Sequence, residues 1–133
     1  MTYLFDTDRA ADWLNGRADA RQLVTRLLPT GIAISAVSYA EIVEGILGGR
    51  DPAREEEGFQ TFLRAIPVLG IDAAIARRTG ELRLDLRRRG LGVNHRALDL
   101  FVAATALEHG LTLVTRNTRH YRDVPGLTLY QDA

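Results

Sequence analysis

Three carboxylates stand where a short apolar run gives way to a helical pattern. Asp6 follows Tyr3-Leu4-Phe5, Glu41 lies one turn beyond the run Ile32–Val37, and Asp99 opens the apolar stretch Leu100-Phe101-Val102-Ala103-Ala104. Asn117 follows a further run, Leu111–Thr115. Carboxylates that share a site repel, and their pKa values rise unless a cation neutralises them. Oxygen-only ligands, with no cysteine and no histidine pair, select Mg²⁺ or Mn²⁺ over zinc. Such an ion suits phosphodiester cleavage. It binds the phosphate, lowers the pKa of its water and stabilises the leaving oxygen, so no protein nucleophile is required.

Each of these residues also has a structural explanation. Thr7 and Asp8 can cap the helix after Asp6. Ser38-Tyr39-Ala40-Glu41 matches the S-x-x-E capping box, and Glu44 falls close to the same face. The helix dipole favours a carboxylate such as Asp99 in a first turn, and Asn117 suits a turn. Position argues for a site. In an open parallel sheet, ligands bind at the carboxyl ends of the strands, and all three acids lie at or just past that edge. The helix after Asp99 is apolar on nearly every side, so its carboxylate needs a partner such as a cation.

The elements that must position these groups alternate along the chain. Buried strands are predicted at Tyr3–Phe5, Ile32–Val37, Leu111–Thr115 and Leu127–Tyr130. A fifth, Ile66–Ile71, contains Pro67 and belongs at an edge or in a loop. One helix starts with Thr7 as its cap, carries Ala10, Trp13 and Leu14, and ends at Asn15-Gly16. Another runs from Ser38 through Ile46. Phe59, Phe62, Leu63 and Ile66 mark a third, and Ile75, Thr79, Leu82 and Leu86 a fourth that ends in Arg87-Arg88-Arg89-Gly90. Leu98–His109 is a fifth, with Gly110 as its C-cap. Strands separated by helices predict a parallel, helix-covered sheet.

Composition narrows the chemistry further. The 133 residues suit one domain, and 46% hydrophobic with 26% charged residues excludes a disordered chain. Seventeen basic and seventeen acidic side chains cancel, so only a local patch could attract nucleic acid. All the basic residues are arginines, which excludes Schiff-base chemistry and a Walker A lysine. Arg87, Arg88, Arg89 and Arg96 form one sequence cluster. Arg116, Arg119 and Arg122 form another that flanks Asn117 and is the better candidate for phosphate contact. His120 is expected to be exposed. No apolar run is long enough to span a membrane, and the opening MTYLFDTDRA lacks the basic region of a secretory leader. A cytoplasmic protein is expected.

In Tyr3-Leu4-Phe5-Asp6-Thr7-Asp8, Ser38-Tyr39-Ala40-Glu41-Ile42, Asp99-Leu100-Phe101-Val102-Ala103-Ala104-Thr105-Ala106, the stretch Leu107–Asn117 and Val124-Pro125-Gly126-Leu127, the sequence resembles PIN-domain proteins of the VapC ribonuclease-toxin type. The resemblance covers nearly the whole chain. It implies a single PIN-like domain over 1–133, a three-layer α/β/α sandwich with a central parallel sheet. It also implies an Mg²⁺-dependent endoribonuclease, with Mn²⁺ as a substitute, acting on tRNA or rRNA and arresting translation. Asp6, Glu41 and Asp99 match the family's three acidic positions. A fourth acid is frequent in the family where this chain has Asn117, and Asp123 is the next acid available. A neutral amide there lowers the site's negative charge, which bears on whether one metal or two are held. Asp8 and Thr115 are placed to orient ligands or waters. The resemblance further implies a homodimer, with apolar faces near Trp13 and Phe59–Leu63 as candidate surfaces. It implies a VapB-type antitoxin whose segment lies across the active-site groove.

Two other functions compete. Leu4-Phe5-Asp6-Thr7-Asp8 also imitates the D-x-D start of haloacid-dehalogenase-type phosphatases, with Asp6 as nucleophile and Asp8 as acid/base. That family needs a later lysine or arginine and usually an acidic pair, where this chain offers a lone Asp99. A catalytically inactive PIN fold used for binding RNA or protein is the other. Metal dependence separates them, since EDTA stops a nuclease and leaves a binding module's RNA affinity intact.

Overall fold

The computed structural model describes residues 1–131, so positions 132 and 133 of the expected domain lie outside the described residues. Four strands form one sheet: β1 (Tyr3–Phe5), β2 (Ile32–Ser35), β3 (Val68–Leu69) and β4 (Thr112–Val114). Their order is β3-β2-β1-β4 and every pairing is parallel, with Phe5 opposite Ile34 on one side and Val114 on the other. All carboxyl ends therefore open on the same edge.

Strand side chains alternate between the two faces, and the buried residues divide accordingly. Leu4, Ala33 and Leu113 join one core with Ile75, Leu82, Leu100 and Ala103. Those partners come from α5 (Ala73–Arg88) and α6 (Ala97–His109). Phe5, Ile32, Ile34 and Val114 join a second core with Ala10, Leu23, Ile42 and Phe59. These come from α1 (Thr7–Leu14), α2 (Ala18–Leu27), α3 (Ala36–Leu47) and α4 (Pro52–Ala65). Both faces of the sheet are covered, which is why its strands read as continuous apolar runs. The expected α/β/α sandwich is present.

Local differences from the sequence reading have physical causes. The run Ile32–Val37 stops being a strand at Ser35, because Ser35 Oγ accepts from Ser38 N and starts α3 two residues earlier. Ser38 is therefore inside the helix, and Ser38–Glu41 is not a capping box. Asp6 rather than Thr7 caps α1, its Oδ1 accepting from Thr7 N at 2.9 Å. Helix α2 went unpredicted although Ala20, Leu23, Val24 and Leu27 carry its spacing; Arg17, at its N-cap, makes no side-chain cap bond. Pro67 precedes the two-residue β3, which lies at the sheet edge as expected. The expected strand Leu127–Tyr130 is reduced to one bridge, Leu129 beside Leu113.

Of the candidate dimer surfaces, Phe59 and Phe62 belong to the core, whereas Trp13 and Leu63 stay partly exposed. Phe59 and Phe62 are buried, and Trp13 packs on Phe62 with ring centroids 5.2 Å apart.

Candidate active site

Three strand ends and one helix start supply the site. Asp6 follows β1 directly and is buried at the head of α1. Its Oδ2 accepts from Thr115 Oγ1 at 2.8 Å, just past β4. Burial pushes the Asp6 carboxyl up to about 6, and the neighbouring Asp8 charge adds to the rise; bonds from Thr115, Thr7 N and Tyr121 only partly offset it. The helix cap set by Ser35 turns Glu41 toward α1, where Thr7 Oγ1 donates to Glu41 Oε1 at 2.6 Å and lies 2.9 Å from Ser38 Oγ. Glu44, on the same helix, is exposed.

Asp99 sits in the first turn of α6, half-buried. It is held by two residues that follow β4. His120 Nδ1 lies 2.6 Å from Asp99 Oδ2, and the Tyr121 hydroxyl donates to Oδ1 at 3.2 Å. His120 is therefore not the exposed side chain expected from sequence. Its ring also stands edge-on to His95 at 5.7 Å. Tyr121 is fully buried, and burial together with the Asp6 and Asp99 charges pushes its phenol far above the usual range. Two polar chains thus line the sheet edge, Glu41–Thr7–Asp6–Thr115 and Tyr121–Asp99–His120.

The turn after β4 is pinned to α1. Arg116 N donates to Asp8 Oδ2 at 2.9 Å, and the Arg116 guanidinium grips Asp12 through Nε at 2.8 Å and Nη2 at 3.0 Å. Asn117 N donates to Thr115 Oγ1, which ties the Asn117 backbone to the residue that bonds Asp6, and Asn117 is partly buried. Asp12 also receives Arg9 Nη1 at 2.9 Å, and both side chains are buried. Asp8 Oδ1 is buried without a partner, and burial raises its carboxyl.

Several expectations need correction. Arg116 is exposed but is paired with Asp12 through Nε and Nη2. Arg96 is buried in a two-pronged pair with Asp123, at 2.6 and 2.8 Å, which holds that carboxyl below its usual range. Asp123 is thus committed to Arg96. Arg89 reaches Asp85 and the Asp123 carbonyl. Exposed Arg119 and Arg122 remain beside Asn117, with Arg87 and Arg88 at the end of α5. Sequence reading also missed Asp12, Arg9 and Tyr121. The i,i+3 spacing of Arg9 and Asp12 was the available signal, whereas Tyr121 gave none.

The donor chemistry fits a hard divalent cation: oxygens only, a buried Asp6 whose charge is uncompensated, and an orphaned Asp8 Oδ1 beside it. As the side chains lie, Glu41 is engaged by Thr7 and Asp99 by His120 and Tyr121. Among the described residues no three acids or histidines converge at metal-holding distances. Next to Thr7 and Glu41, a groove of about 620 Å³ runs between α1, α3 and α4 past Leu14, Ile46, Arg50 and Arg54. No helix among the described residues is long and apolar enough to cross a membrane.

Residues 3–127 match the profile of the PIN domain family. A tRNA(fMet)-specific endonuclease VapC of Shigella flexneri is 36% identical over 96 residues, covering 72% of this chain and 71% of that protein. Ribonuclease VapC2 of Rickettsia felis is 28% identical over 131 residues, 97% of this chain and 96% of its own length. The crystal structure of VapBC2 from Rickettsia felis, bound to a DNA fragment from its promoter, superposes with a TM-score of 0.88. There the identity is 26% and 98% of each chain is covered.

Proposed function

Since the chain belongs to the PIN-domain family and, within it, to the VapC ribonucleases, we propose that it is a divalent-metal-dependent endoribonuclease and the toxin of a toxin–antitoxin pair. The observation that carries this reading is buried Asp6 at the end of β1, its carboxyl raised to about 6 and linked through Thr7 to Glu41, with Asp99 held by Tyr121 and His120 at the same edge. A buried acid left uncompensated among other acids is a place for a cation.

Asp6, Glu41 and Asp99 would hold Mg²⁺, or Mn²⁺ in its place, with Asn117 assisting at the fourth position. When bound, the ion supplies a water of lowered pKa and positive charge against the scissile phosphate. The protein's own groups do the positioning. Thr115 Oγ1 and Thr7 N fix both oxygens of Asp6, and Thr7 Oγ1 orients Glu41. Arg119 and Arg122, exposed beside Asn117, bind the RNA backbone. The tRNA specificity in the Shigella relative's name makes tRNA the first substrate to try, with rRNA next. The groove beside Glu41 takes a segment of a VapB-type antitoxin, and the active species is a homodimer. The phosphatase reading needs a lysine or arginine and an acidic pair downstream, whereas this chain offers a lone Asp99 there, held by His120 and Tyr121.

Induced expression of the parent and of Asp6→Asn in a bacterial host tests the reading. Growth arrest by the parent alone, with purified protein losing RNA cleavage in EDTA, is expected. Arrest by both variants, or RNA binding without cleavage whatever the metal, would overturn it in favour of a binding module.

A further inference from the structure

The mechanism above leaves two side chains at the site without a role, and both come from the segment after β4. The turn Thr118–His120 places His120 and Tyr121 on opposite oxygens of one carboxylate: His120 Nδ1 on Asp99 Oδ2 at 2.6 Å, the Tyr121 hydroxyl on Oδ1 at 3.2 Å. A carboxylate has two oxygens and about four lone-pair directions, so two donors stop its rotation and still leave directions open. The identity of the donors matters. An arginine here would neutralise Asp99, as Arg96 does Asp123. A buried phenol gives a hydrogen bond without bringing a charge. It also lies close enough to feel the charge of Asp6, and so stands near both acids.

We propose that Tyr121 and His120 are positioning residues that lock the Asp99 carboxylate toward Asp6 and so prepare an oxygen-lined cation site. Each donor takes one oxygen of Asp99 and leaves further lone-pair directions for the ion. Outer groups that orient a ligand in this way typically contribute about tenfold to a hundredfold in metal affinity. The inference rests on the proposed assignment of Asp6, Glu41 and Asp99 to a metal site.

Mn²⁺ alone, titrated into the metal-free full-length chain and followed by calorimetry and by the loss of the free-ion spin-resonance signal, tests it without any cleavage assay. Parent, Asp99→Asn, Tyr121→Phe, His120→Ala and His120→Gln are compared, each after its unfolding temperature is measured. The expected result is that Asp99→Asn loses the site, while Tyr121→Phe and His120→Ala weaken binding about tenfold or more. His120→Gln, whose amide still donates, should recover part of that loss, which a merely structural role would not produce. If Tyr121→Phe does not fold, the two His120 variants decide. Parent-like binding by Tyr121→Phe and His120→Ala, with Asp99→Asn binding none, overturns the positioning role and leaves the site assignment standing. Tighter binding in either variant also overturns it, because the donors would then compete with the ion. Parent-like binding by Asp99→Asn overturns the site assignment and this inference together.

Discussion

Replacing Asp12 by alanine should be among the most damaging single changes outside the two apolar cores. Arg9 is buried, and its Nη1 lies 2.9 Å from Asp12 Oδ2; its only other acidic neighbour among the described residues is the half-exposed Asp19 at 3.5 Å. Arg9 Nε already lacks a partner. Removing Asp12 therefore strands a guanidinium in the interior, and breaking such a buried pair costs about 3–5 kcal/mol. Asp19 can lean in, so the low end, about 3 kcal/mol, is expected. The same carboxylate holds the exposed Arg116, whose pair alone contributes below about 1 kcal/mol. Urea unfolding read by circular dichroism would show the midpoint lowered by about 1–3 M, at slopes of about 1–3 kcal/mol per M. The double variant Arg9→Met/Asp12→Ala removes the stranded charge and should be more stable than Asp12→Ala alone. A loss under about 1 kcal/mol for Asp12→Ala, or a double variant less stable than the single, would refute the reasoning, since the stranded charge is its whole basis.

Asp6 gives a pH prediction whose sign follows from its raised carboxyl. The folded chain keeps a proton that the unfolded chain sheds at 3.8, so the associated stability is full below that pH and is lost as pH rises through about 6. In EDTA, the stability of the parent relative to Asp6→Asn should fall by roughly 2–3 kcal/mol between about pH 4 and pH 8, measured by denaturant unfolding at both ends; a flat difference refutes it. Asp99→Asn should abolish RNA cleavage with folding intact. Asp123→Asn should do the reverse, lowering the unfolding temperature through the stranded Arg96 while cleavage survives. Cleavage assays beside thermal scans decide between them, and loss of cleavage in a folded Asp123→Asn would reopen that residue as a ligand. Gly110 has φ +65° with open space where a Cβ would stand, so Gly110→Ala should cost about 1 kcal/mol from backbone strain alone, measurable as a small drop in unfolding free energy.

Much of this protein is written locally. Apolar runs such as Tyr3–Phe5 and Leu111–Thr115 are strands because both faces of the sheet are buried, and Gly110 ends α6 because it can adopt a left-handed conformation. The acids Asp6, Glu41 and Asp99 were legible because parallel topology sends every strand end, and whatever follows it, to one edge. Sequence alone could not say which charged side chains are occupied. Asp123 and Arg116 looked available, but their partners Arg96 and Asp12 lie 27 and 104 residues away in the chain. Tyr121 was unremarkable and His120 was expected to be exposed, until folding set them against Asp99, 22 and 21 residues earlier. Short-range patterns fix elements through burial and backbone geometry, which depend on neighbours in sequence. A hydrogen bond or ion pair depends on two side chains meeting within about 3 Å, and only the packing of helices on the sheet decides which ones do.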